Sequence, residues 1–330
     1  MNLLRIIILV DGNNKIGMGH VYRSLNLVKN LRKLGHKIIF LTKEPITKKI
    51  ISKTYVCKLT RNLNNNETKK FLTKFAPDIA ILDKLNETKT NLQTLRQFCS
   101  IIAIDYTGKH KELISYGINI LYPKSGISKT SYSDLNFAIL NEKFIQTKKK
   151  IIKKKVQSIL VLQGGADTYC FTPKIINAIY ELDSKIQISV VLGPSFKCWP
   201  KLNQVLKKIP KPIHVYHNAK NMAPIMKKAD LAVTAAGNTL LELAHLGIPS
   251  LIVCAEKFEI ETAKLLEQNG FGINIGFGGN LTSRKLHFHL IRIIRDYNLR
   301  KKMNRIGPKL VDGKGASRID EIIQTQIIGN

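Results

Sequence analysis

Acidic residues are scarce in this chain: 23 Asp and Glu stand against 53 Lys and Arg, for a formal net charge of +30. Such an excess invites nucleic acid as a partner. Two further scarcities argue against it. Aromatic residues make up only 7% of the chain and show no interleaving with basic ones, and the lysines are spread from end to end. A basic field of this kind attracts nucleotide-sugar phosphates or an anionic membrane face equally well. Cysteine is sparse too, with five residues at 57, 99, 170, 198 and 254 and no C-x-x-C pair. That pattern speaks against zinc and disulfides and fits reduced, mostly structural thiols in a cytoplasm. Long apolar runs are missing. Ile6 to Val10, between Arg5 and Asp11, is too short for a secretory signal or a membrane span, and no other segment approaches that length. The expected location is therefore cytoplasmic. What remains is an ordinary globular composition, 44% apolar over 330 residues, enough for two domains that each bury a core.

Apolar strands alternate with amphipathic helices throughout, which predicts an α/β protein with parallel sheets. In the first half the strands are Leu3–Val10, Lys37–Leu41, Ile79–Leu82, Ile101–Ile104 and Ile118–Tyr122. A helix from His20 carries Val21, Leu25, Val28, Leu31 and Leu34 on one stripe and closes at Gly35. Eight residues, Lys148 to Lys155, interrupt the alternation with six lysines and read as a solvated linker. The second half predicts strands Val156–Leu162, Ile186–Leu192, Ile213–Tyr216, Leu231–Thr234 and Ser250–Val253. Its helices are Pro173–Leu182, Ala219–Lys228, Asn238–Leu246 and Glu259–Asn269, with terminal helices over 282–325. Two doubly wound domains, 1–150 and 151–330, facing a central cleft, are the expected architecture.

The most informative stretch is Asp11-Gly12-Asn13-Asn14-Lys15-Ile16-Gly17-Met18-Gly19-His20-Val21-Tyr22-Arg23. It follows a strand and opens a helix. Gly17 and Gly19 allow a sharp turn with room for a ligand, and the helix start offers unpaired N–H groups to an anion. His20 stands at that opening as a titratable base. A dinucleotide fingerprint fails, because Tyr22 and Arg23 replace the third glycine of G-x-G-x-x-G. A purely structural turn explains the glycines but not His20.

Two stretches of the second half lie just past strand ends, where open α/β sheets bind ligands. In Gln163-Gly164-Gly165-Ala166-Asp167 the paired glycines let a diphosphate approach the backbone, although a plain tight turn reads the same way. In the second, Ala235, Ala236 and Gly237 end a strand, and Asn238 and Thr239 can cap the next helix and present N–H groups to phosphate. Glu242, one turn in, has the placement to accept hydrogen bonds from ribose hydroxyls. It also has the capping-box spacing from Thr239. No metal-ligand cluster and no cofactor motif is evident.

Taken together, these residues resemble the UDP-2,4-diacetamido-2,4,6-trideoxy-β-L-altropyranose hydrolase family of pseudaminic-acid biosynthesis, which is related to the two-domain GT-B glycosyltransferases. The resemblance rests on Asp11…Ile16-Gly17-x-Gly19-His20-x-x-Arg23-x-Leu25, on Gln163-Gly164-Gly165-Ala166-Asp167, and on Ala235-Ala236-Gly237-Asn238-Thr239…Glu242…Gly247-Ile248-Pro249. Asp312-Gly313-x-Gly315-Ala316-x-Arg318-Ile319 completes it. It implies a GT-B-like fold and hydrolysis of a UDP-activated amino sugar at the anomeric carbon.

In that resemblance His20 is the catalytic base, with Asp11 and Arg23 orienting its turn. Gly17, Gly19, Asp83, Asp105 and Asp167 belong to the substrate site. Gly164, Gly165, Gly237, Asn238 and Thr239 stabilise the diphosphate, and Glu242 holds the ribose. Neither cofactor nor metal is implied. The partner is a UDP-sugar, without nucleic acid. The alternative is a GT-B glycosyltransferase serving a glycan or lipid acceptor, which adds peripheral contact with an anionic membrane. A non-catalytic nucleotide-sugar binder is a third reading, and His20 speaks against it. This chain departs from its relatives at Asp83-Lys84-Leu85, where they carry Asp-x-Tyr, and at Asp105-Tyr106, where paired acids are expected. Phe258-Glu259 replaces an Asn-Gln pair. These departures fall on the sugar side and leave room for a changed sugar or an acceptor other than water.

Overall fold

The apolar run near the start of the chain forms strand β1 (Arg5–Val10), buried from Ile6 onward. Burial on both faces is what a central strand of a parallel sheet requires, and it explains why the run does not alternate with polar residues. The structure is a computed structural model and describes residues 3–13, 17–122 and 130–327. Asn14, Lys15 and Ile16 of the motif stretch lie outside the described residues.

After β1 come α1 (Gly19–Lys33), β2 (Lys37–Thr42), α2 (Pro45–Ile51), β3 (Cys57–Leu59), α3 (Asn66–Phe75) and β4 (Ile79–Asp83). Then follow α4 (Lys89–Arg96), β5 (Ser100–Ile104), β6 (Tyr116–Asn119) and β7 (Ser131–Ser133). These strands make one sheet in the order β3-β2-β1-β4-β5-β6-β7, parallel throughout. The chain winds outward from β1 to β3, then returns to the other side of β1 with β4. The boundary between β1 and β4 is therefore a topological switch point, where two successive crossovers leave a crevice at the carboxyl ends of the strands.

The second unit repeats the plan. Its elements are α5 (Glu142–Ile145), β8 (Ser158–Leu162), α6 (Phe171–Leu182), β9 (Gln187–Leu192), α7 (Trp199–Lys208), β10 (His214–His217) and α8 (Met222–Lys228). Next are β11 (Leu231–Thr234), α9 (Asn238–Leu246), β12 (Ser250–Cys254), α10 (Glu259–Gln268), β13 (Ile273–Phe277), α11 (Ser283–Arg295) and α12 (Tyr297–Leu310). The sheet order is β10-β9-β8-β11-β12-β13, again parallel, with its switch point between β8 and β11.

Helix α13 (Gly315–Ile327) does not stay with the second unit. The chain divides into Met1–Asn141 with Gly313–Asn330, and Glu142–Asp312. That division differs from a single cut at 150. Gly315 sits against the backbone of Phe137 and Ala138 where no side chain fits, and Arg318 donates to the Asn136 carbonyl at 2.8 Å. Asp320 reaches His36 Nε2 at 3.2 Å, while His36 Nδ1 accepts from the Leu4 N–H.

The lysine run lies within the second unit rather than between the two, and it is anchored even though five of its six lysines are exposed. Lys150 pairs with Asp230 at 3.0 Å and donates to the carbonyls of Lys227 and Lys228. Fully buried Arg300 donates to the carbonyls of Lys153 and Lys154 at one end of its guanidinium and of Ile293 and Ile294 at the other. Backbone carbonyls, which composition cannot reveal, hold the run in place. The cysteine expectation also fails for one pair: Cys170 and Cys198, 28 residues apart, form a disulfide with Cα atoms 5.7 Å apart. They are the N-cap residues of α6 and α7, so adjacent crossovers bring them together. Among the described residues no helix is long and apolar enough to cross a membrane.

Candidate active site

Helix α1 begins at the first switch point, and its first turns carry a cluster of polar side chains. His20, Arg23 and Ser24 stand at i, i+3 and i+4, so all three face one way. They converge on Asp83, the last residue of β4, next to β1 in the sheet. His20 Nδ1 lies 2.8 Å from Asp83 Oδ1, and Ser24 Oγ donates to Oδ2 at 2.8 Å. Arg23 donates from Nε to Oδ2 at 3.2 Å and from a terminal nitrogen to Oδ1 at 2.5 Å. Its other terminal nitrogen donates to Asp105, just past β5. Asp105 turns left-handed, at φ 53°, and accepts the N–H groups of Ile120 and Leu121 at 2.6 and 2.8 Å.

One cation thus sits between two fully buried carboxylates. Burial by itself pushes the Asp83 carboxyl up, but Arg23 and His20 outweigh it and hold Asp83 well below the usual carboxylate range. Burial likewise works against the Arg23 guanidinium, and Asp83 and Asp105 more than restore its charge. An ionised Asp83 can only accept, so the neutral tautomer of His20 that fits this contact has its proton on Nδ1 and its lone pair on Nε2. The 3.1 Å approach of Arg23 to the same Nδ1 is then a contact between two donors. The His20 side chain is 19% exposed while Asp83 has no exposed surface. The result is a base oriented from behind by a buried carboxylate.

Asp11 does not touch His20 or Arg23. It accepts from Thr42 Oγ1 and the Lys43 N–H, each at 3.0 Å, and pairs with Lys84 at 2.5 Å. Lys84 also reaches Glu87 at 2.7 Å. Asp11 therefore fixes the ends of β2 and β4 around the turn. Gly17 has φ +80°, with open space where a Cβ would stand, and its N–H donates to the Asn13 carbonyl at 2.9 Å. Gly19 is the first residue of α1. Asp83 and Asp105 lie behind His20 and Arg23, with their oxygens already occupied.

At the second switch point the Gly164–Gly165 turn follows β8 and the start of α9 follows β11, side by side through the Ala235 N–H to Leu162 carbonyl bond of 3.2 Å. Gly164 has φ +70°, and an added Cβ on either glycine would meet nothing within 4 Å. Asp167 is buried, and its two oxygens accept the Phe171 and Thr172 N–H groups, capping α6. The N-cap of α9 is Gly237, so Asn238 and Thr239 are the first two helical residues. The capping-box reading of Thr239 and Glu242 is thereby overturned. Glu242 keeps partial contact with solvent, yet burial of its carboxyl pushes the pKa up to about 8.

Two residues here were not assigned a role from sequence. Gln163 is 2% exposed, and among the described residues neither its amide oxygen nor its nitrogen has a hydrogen-bond partner. Glu259 Oε2 accepts the N–H groups of Ala255 at 2.7 Å, Ala236 at 3.3 Å and Glu256 at 3.4 Å, tying the ends of β11 and β12 together. Its position next to a strand end was the available signal. Among the described residues no group of three or more His, Cys, Asp or Glu is placed to hold a metal ion.

Residues 132–306 match the glycosyltransferase family 28 C-terminal domain, which is over half of the chain. An uncharacterised protein of Methanocaldococcus jannaschii is 31% identical over 281 residues, covering 78% of this chain and 57% of that relative. The chain thus spans a little over half the length of that protein. The spore coat polysaccharide biosynthesis protein SpsG of Bacillus subtilis is 25% identical over 330 residues, covering 96% and 97% of the two chains. Among solved structures, MurG of Acinetobacter baumannii superposes with a TM-score of 0.69 at 12% identity, over 97% of this chain and 99% of that one. With its two parallel-sheet units, the chain has a GT-B-like fold.

Proposed function

Since the chain belongs to the glycosyltransferase family 28 C-terminal domain family, we propose that it moves a sugar from a UDP donor to a hydroxyl of a glycan or lipid acceptor in polysaccharide biosynthesis. The observation that carries the base-assisted displacement, whichever hydroxyl attacks, is the His20–Asp83 pair at the first switch point. The acceptor O–H gives its proton to His20 Nε2 as its oxygen bonds the anomeric carbon. The bond from that carbon to the diphosphate oxygen breaks, and UDP leaves with the electron pair. Asp83 holds Nδ1–H and stabilises the imidazolium that forms. The Gly164–Gly165 turn and the α9 start meet the charge of the leaving diphosphate, and Glu242 takes the ribose hydroxyls. Likeness to SpsG over nearly the full chain supports the polysaccharide setting.

The motif set around His20 favours a second reading, hydrolysis, in which water replaces the acceptor hydroxyl. This was the leading expectation from sequence; family membership weighs toward transfer. Incubation with UDP-sugars carrying a radiolabelled N-acetylamino sugar, with and without membranes and glycans, separates the two. Label in a lipid-extractable or glycan fraction supports transfer. Free reducing sugar formed without any acceptor supports hydrolysis, and intact donor under all conditions contradicts both.

A further inference from the structure

Helix α11 has two apolar faces. Leu286, Leu290 and Ile293 are buried against the second unit. Phe288 and Ile291 point the other way, 62% and 36% exposed. At 3.6 residues per turn, Arg284, Phe288, Ile291 and Arg295 fall within roughly 60° of one another, opposite the buried stripe. Arg292 flanks them, and all three arginines are exposed. Among the described residues none of these guanidinium groups has a hydrogen-bond or ion-pair partner. Neither α11 nor the adjoining α12 contains an Asp or Glu. Exposed Lys301, Arg305 and Lys309 recur along α12 at every fourth position.

We propose that the outward face of α11 docks on an anionic lipid bilayer, with Phe288 and Ile291 entering the headgroup boundary and Arg284, Arg292 and Arg295 on lipid phosphates. Apolar residues centred in a ring of arginines are what an interfacial helix requires. Guanidinium groups are suited to phosphate because their planar fork gives two parallel hydrogen bonds. A second copy of the same face would bring like charges together. Nucleic acid would use the arginines but gains nothing from a central Phe and Ile, since its affinity comes chiefly from backbone phosphates. The inference stands apart from the catalytic reading, because it rests on one helix and is read without turnover.

The test is co-sedimentation of the full chain with vesicles of phosphatidylcholine alone or mixed with phosphatidylglycerol. The chain is expected on the mixed vesicles and not on phosphatidylcholine. Phe288→Ser with Ile291→Ser should cut partitioning about tenfold. Arg284→Glu with Arg295→Glu should cut it by at least about tenfold. Because the whole chain is cationic, Lys70→Glu with Lys74→Glu on α3 serves as the charge-matched control and should stay within about threefold of wild type. Circular dichroism confirms that each variant is folded. A Phe288→Trp variant should shift its emission to the blue on mixed vesicles. An equal loss in the α3 control, or undiminished binding by the Phe288/Ile291 variant, overturns the proposal. So does tighter binding to duplex DNA that depends on Phe288.

Discussion

Nδ1 of His20 lies 2.8 Å from Oδ1 of Asp83, a carboxylate with no exposed surface. In the proposed reaction that relationship sets the imidazole tautomer, which makes Asp83 a positioning residue whose removal is felt through His20. Asp83→Asn keeps the shape and lets an amide N–H face Nδ1, which drives the proton to Nε2. The rate of UDP release should fall about a hundred- to ten-thousand-fold, with UDP affinity kept. Titration calorimetry with UDP beside a turnover assay checks this, and a matching loss of affinity would make the role structural.

Arg23 stands between two buried carboxylates, so its loss should be costly. Arg23→Ala leaves Asp83 and Asp105 without their cation and should cost about 3–5 kcal/mol in urea unfolding at neutral pH. Arg23→Lys, which cannot bridge both carboxylates with a fork, should fall between the two. Asp83 is held below its ordinary range in the fold. Its stabilisation is therefore present above that range and lost as pH falls toward its folded value. The alanine variant should lose this acid-side limb of the stability curve.

Glu242 shows the opposite sign. Burial raises its pKa from 4.5 to about 8. The folded state therefore binds more protons than the unfolded chain between those values, and stability from this group declines as pH rises through that window. Glu242→Gln should flatten the decline in melting temperature between pH 4.5 and 8. Glu242→Ala should weaken UDP binding, and unchanged affinity would remove Glu242 from the ribose site.

The sequence made most of this legible where one residue type decides the outcome. Strands β1, β4, β5 and β11 were placed from continuous apolar runs, because a strand buried on both faces leaves that mark. Strands β3 and β7, three residues each at sheet positions far from the centre, leave no such mark. Of the α1 stripe Val21, Leu25, Val28, Leu31 and Leu34, the structure buries Val21, Val28 and Leu31 but not Leu25 or Leu34. The buried face also takes in Arg23 and Ser24, because Asp83 accepts from both. His20 could be singled out from its turn, but its pairing with Asp83 depends on β4 lying beside β1, a relation 63 residues apart in sequence. The Cys170–Cys198 bond and the anchoring of the lysine run by Asp230 and Arg300 rest on equally distant partners.

Gln163 offers a test with two readouts. A buried amide with neither atom paired is costly, and an apolar residue of similar shape removes that cost. Gln163→Leu should raise the melting temperature while weakening UDP binding. Raised stability with unchanged UDP affinity would leave Gln163 without a part in the ligand site.

The most direct measurement is phosphorus NMR of UDP release from a panel of UDP-N-acetylamino sugars, comparing wild type with His20→Ala, each with and without membrane and glycan acceptors. Wild type should release UDP, and His20→Ala should do so at least about a hundredfold more slowly while binding UDP within a few-fold of wild type. Equal release by the two proteins would contradict the assignment of His20 as the base that drives the reaction.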